Sequence, residues 1–75
     1  MLDAIDKYVI KKVKDKRKEK GYSQAQLANE LDVSTGFVGM VESEKYEKKY
    51  SLSQLNKIAK IFQCSLLDLI PKNPL

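Results

Sequence analysis

The chain has 75 residues, 43% of them hydrophobic, with a single cysteine, no histidine and a net charge of +4. That length supports one domain with a small core. It excludes an internal disulfide framework and a CxxC metal site, and no apolar run approaches the ~20 residues of a membrane span. No cofactor or small-molecule ligand is expected, and the basic balance favours a polyanionic partner in a reduced, cytoplasmic setting. Asp3, Asp6 and Lys7 interrupt the apolar start, so no signal peptide is expected.

Apolar residues recur at helical spacing and nowhere alternate as in strands. The first helix is expected over about residues 3–20, with Ile5, Val9, Val13 and Arg17 on one stripe. Gly21 stands where a left-handed C′ glycine ends a helix. Ser23 and Gln26 have capping-box spacing and open a short helix over about 24–31, with Leu27, Ala28 and Leu31 inward. Asp32 and Val33 make a tight connection, and Ser34 caps a third helix over about 35–42. Ser51 and Gln54 repeat the box before a fourth helix, about 52–62, whose stripe is Leu55, Ile58, Ala59 and Phe62. Ser65 caps a last helix over about 66–70, with Leu66, Leu69 and Ile70, and Pro71 ends it. The prediction is an all-α bundle of five helices in one domain, residues 1–70, followed by a tail at 71–75.

Charge is unevenly placed. Residues 1–20 carry a net +4, residues 21–44 hold four acids and no base, and the loop segment 45–50 (KYEKKY) carries +2. Positive charge therefore flanks the middle of the chain. For residues 11–20 a solvated face with (i, i+4) pairs weighs more than a contact with the polyanion. Cys64 reads as a small buried residue.

The second and third helices, joined by about three residues with a serine cap on the second member, have a helix-turn-helix pattern. The stretch RKEKGYSQAQLANELDVSTGFVGMVES, followed by SLSQLNKIAKIFQCSLLDL, resembles the Cro-type, phage-repressor-like family of bacterial helix-turn-helix regulators. Arg17, Gly21-x-Ser23-Gln24, Leu27-Ala28, Val33-Ser34, Val38, Val41-Glu42 and Leu55…Ile58-Ala59 carry the likeness, which spans residues 9–70. The resemblance implies a lambda-repressor-like fold that binds double-stranded DNA as a homodimer. Gln24 would contact a phosphate, and the third helix from Ser34 onward would enter the major groove. The loop, through Lys45, Tyr46, Lys48 and Lys49, would grip the sugar–phosphate backbone. Arg17 and Glu42 would form an internal ion pair, which suits the only arginine of the chain falling on an apolar stripe.

Two features depart from the family pattern. Helical placement puts Val38 and Val41 inside, and Gly36, Gly39, Met40 and Ser43 outside, with Thr35 at the leading edge. A groove helix ordinarily offers Gln, Asn, Arg or Lys to base edges. The glycines either allow close approach, with Thr35, Phe37 or Met40 on thymine methyl groups, or mark a face that reads no bases. Phe37 is either core or contact, and Tyr50 either reaches phosphate or packs beneath the loop. The usual glycine after the third-helix glutamate is also absent, because Glu44 stands there, and a less tightly turned exit is expected. The leading expectation is a DNA-binding regulator. The alternative is a protein-interaction or antitoxin-like module on the same fold, and no enzyme activity is expected.

Overall fold

Serine and aspartate caps set every helix start in the computed structural model, which describes residues 1–75. Helix α1 spans Ala4–Glu19, α2 Gln24–Leu31, α3 Thr35–Ser43 and α4 Leu52–Phe62. Asp3, Ser23 and Ser51 each accept from the backbone N–H three residues on, while Asp6, Gln26 and Gln54 reach back to the cap N–H. Ser34 caps α3 the same way, accepting from the Phe37 N–H at 3.0 Å. Such caps satisfy backbone donors that the helix itself leaves free.

The helix ends share a second device. Gly21, Asp32 and Gln63 adopt positive φ, and the next residue's N–H returns to the carbonyl five positions back: Tyr22 to Arg17, Val33 to Ala28, Cys64 to Ala59. This is the Schellman closure, which fits three helix reversals into very short connections. Glu44 takes the left-handed conformation after α3 with φ of 59°. The exit from α3 is therefore as tight as a glycine would make it, contrary to the looser turn expected. Four α-helices form rather than five. The fifth is a single 3-10 turn, Leu66–Asp68, capped by Ser65. With Pro71 so close behind, too few backbone N–H groups remain to propagate an α-helix.

Val13, Leu27, Val38, Val41, Ile58, Phe62 and Leu69 are sealed from solvent at the centre. Fully burying each aliphatic or aromatic side chain contributes about 1.5–3 kcal/mol. Helix α2 packs on α3 and α4, α1 lies across both of the latter, and the 3-10 turn closes over α4. In α1 the buried residues are Ile10, Val13 and Arg17, while Ile5 is exposed and Val9 half-buried. Val13 and Arg17 of the predicted stripe are thus enclosed and Val9 packs against the core in part, while Ile5 falls outside it and Ile10 takes an inner place. Cys64 is half-buried rather than enclosed. No helix is long and apolar enough to cross a membrane.

Tyr50 is buried beneath the loop, its ring edge-on to Phe37 at 5.9 Å between centroids. Its hydroxyl has no hydrogen-bond partner, and burial raises the phenol well above its ordinary range. An unpaired buried hydroxyl costs about 1–3 kcal/mol, whereas replacing it by an apolar group is close to neutral. Tyr50→Phe keeps the ring pair and is expected to melt at or slightly above wild type. A clear fall in melting temperature would show that the hydroxyl is bonded in solution.

Candidate nucleic-acid interface

The predicted ion pair forms and is a locking element. Arg17 Nε donates to Glu42 Oε2 at 2.7 Å and Nη2 to Oε1 at 2.9 Å. Its Nη1 donates to the Tyr22 carbonyl at 2.7 Å, so one guanidinium joins α1, the turn before α2, and α3. Burial pushes the Glu42 carboxyl up. Hydrogen bonds from Arg17 and Gln24, with the Arg17 charge, more than offset this and hold it below the usual carboxylate range. Gln24 Nε2 donates to Glu42 Oε1 at 3.0 Å. The residue expected on a phosphate is thereby also a strut between α2 and α3, a tertiary role that its place in the chain did not announce.

The outward side of α3 follows from this lock. Val38, Val41 and Glu42 face in, Thr35, Gly36 and Ser43 are exposed, and Gly39 and Met40 are half-exposed. Phe37 is half-buried and turns its ring toward Tyr50, which favours the core alternative over a base contact. Ser34 accepts the Phe37 N–H and so orders the start of α3. Neither helical glycine is there for want of internal space. A Cβ on Gly36 would meet nothing nearer than Ser34 Oγ at 3.9 Å, and one on Gly39 would meet Gln24 Oε1 at 3.6 Å, an ordinary contact. Neither has positive φ. Helical glycine costs about 1 kcal/mol relative to alanine, and nothing inside the molecule offsets it.

The loop 45–50 follows α3 in the chain. Lys45, Tyr46, Lys48 and Lys49 are all exposed. Lys48 makes no ion pair, whereas Lys49 Nζ sits 3.3 Å from Asp6 Oδ1 on α1. The first turns of α2 and α3 carry no acid, so their partly positive N-termini stay uncompensated. On α1, Lys11 pairs with Asp15 at 3.0 Å, four residues apart and both exposed. Two short helices joined at Asp32–Ser34, an outward second helix and a basic loop after it make the arrangement of a groove-binding motif. A helix-turn-helix family profile matches residues 13–69.

The chain belongs to the Cro/C1-type helix-turn-helix family. Membership makes it a helix-turn-helix protein, of the kind that includes DNA-binding domains. Among solved structures, hydroxypropylphosphonic acid epoxidase from S. wedmorenis in complex with fosfomycin is similar over 92% of this chain and 36% of its own, with 25% identity and TM-score 0.77. The Fe(II) form of HppE matches 96% of this chain and 38% of its own, with 26% identity and TM-score 0.77. Apo-HppE gives 25% identity and TM-score 0.76 over 91% of this chain and 37% of its own. The helix-turn-helix chain thus spans well under half the length of the solved chains it resembles. No curated protein matches it.

Proposed function

We propose that this helix-turn-helix protein is a DNA-binding regulator that sets α3 into the major groove and holds the backbone with the loop 45–50. The observation that carries the proposal is the outward face of α3, whose two glycines have no internal cause, followed in the chain by a loop of exposed lysines. Thr35, Gly36, Gly39 and Met40 form the surface toward the groove floor, where hydroxyl and methyl groups recognise thymine methyls. Lys45, Lys48 and Lys49, with the Tyr46 hydroxyl, supply phosphate contacts, and the Gln24 end of α2 supplies another. So small a domain makes few such contacts, which favours a homodimer on two half-sites one helical turn apart. Exposed Leu67, with Leu75 of the tail, offers apolar surface for that association.

Titration with duplex DNA at several salt concentrations, followed by amide shifts, tests the proposal. Shifts are expected at Gln24, Thr35, Gly36 and Lys48. The logarithm of affinity should fall with the logarithm of salt by about 0.9 per phosphate neutralised. Absence of binding at low salt would overturn it. A protein-interaction role on the same fold is the second reading, and the four acids without a base in residues 21–44 favour it. That role predicts no duplex binding at any salt concentration.

A further inference from the structure

One of the loop lysines is already occupied. Lys49 Nζ lies 3.3 and 3.4 Å from the two carboxylate oxygens of Asp6, a contact between residues 43 positions apart. The two partners are not equally free. Asp6 accepts the Asp3 N–H at 3.2 Å within the cap of α1, and its side chain is 16% exposed, against 57% for Lys49. The cap hydrogen bond and the lysine charge also hold the Asp6 carboxyl below its ordinary range, so it is ionised near neutrality. A fixed carboxylate thus faces a mobile ammonium at the end of a flexible stem.

We propose that Asp6 competes with the DNA phosphate for Lys49, so that the N-terminal turn of α1 sets how strongly the loop grips the backbone. The proposal rests on the phosphate-binding role of the loop. When Lys49 moves to a phosphate it must give up the Asp6 carboxylate, so the energy of that contact is subtracted from the new one. Lys48, free of any such partner, has no brake. Asp6 touches no DNA in this scheme and acts as a positioning residue through Lys49.

Asp6→Asn removes the charge and retains a side-chain oxygen for the Asp3 N–H. Binding to about two helical turns of mixed-sequence duplex, measured across a salt series, should tighten about two- to five-fold, the range that an exposed ion pair supports. The decisive comparison is a double-mutant cycle. In a Lys49→Ala background the Asp6→Asn gain should vanish, while a gain of equal size there would show general charge repulsion and overturn the proposal. So would unchanged affinity of Asp6→Asn beside a weakened Lys48→Ala, an outcome that leaves the loop's role intact. If wild type binds no duplex at low salt, the function itself fails, which is a distinguishable result. Thermal melts by circular dichroism confirm that each variant is folded.

Discussion

Replacing Glu42 with glutamine is expected to lower the melting temperature by more than about 10 °C, since about 1 kcal/mol shifts a domain of this size by 4–8 °C. The side chains of Arg17 and Glu42 are only 9% and 3% exposed. Removing one partner of a buried pair costs about 3–5 kcal/mol, because the survivor keeps its charge without compensation. Here the loss falls near the lower end. The Tyr22 carbonyl still holds one arm of the guanidinium, and a glutamine oxygen still accepts a hydrogen bond. Total stability for such a chain is about 4–11 kcal/mol, so even that share is large. The pH dependence follows from the lowered carboxyl. A depressed folded pKa adds stability above the unfolded carboxylate value, about 4.3, and loses it as pH falls through the folded value. Wild type should therefore weaken on acidification below about pH 5 more steeply than Glu42→Gln, and the two curves should converge in acid. Equal melting temperatures at pH 7, followed by thermal circular dichroism, would contradict the locking role.

That lock was expected from the resemblance to the Cro-type family, and the sequence supported it on one side only: the sole arginine falls on an apolar stripe, where a partly buried pair suits it. Nothing in the local pattern singled out Glu42 from the other acids as its partner. Caps were readable from local pattern: Ser23 with Gln26 and Ser51 with Gln54 have a spacing that only a helix start exploits. The tight connection at Asp32–Val33 was also read, but only at Gly21 did the residue type announce a left-handed exit. Asp32, Glu44 and Gln63 take the same left-handed conformation without the residue that advertises it, because tertiary packing of the flanking helices outweighs their intrinsic preference. The inner stripe of α1 was right at Val13 and Arg17 and in part at Val9, and wrong at Ile5, because periodicity fixes a helix's spacing but not how it crosses its neighbours; Ile10 is enclosed instead. At the interface, the outward residues of α3 and the loop lysines follow from local pattern. The Gln24–Glu42 strut and the Asp6–Lys49 pair do not, since each joins residues brought together only by the completed bundle.

Gly36→Ala and Gly39→Ala are expected to move stability and DNA binding in opposite directions. Each alanine should stabilise the free protein by about 0.5–1 kcal/mol, through better helix propensity and a less flexible unfolded chain. Space permits this, because the added methyl groups would lie 3.9 Å from Ser34 Oγ and 3.6 Å from Gln24 Oε1. The same methyl groups would stand between the α3 backbone and the groove floor. Losing the fit of Thr35 and Met40 against base edges should weaken duplex binding by about 1–3 kcal/mol, the size of one good base contact, or roughly tenfold and more. Paired measurements, thermal melts of the free protein and duplex titrations at one salt concentration, decide the matter. Misfolding would lower both quantities together, so a raised melting temperature with a lost affinity can come only from contact at the α3 surface. A raised melting temperature with unchanged affinity would instead mean that α3 keeps its distance and that the loop lysines alone hold the DNA, a mode that carries affinity without base discrimination.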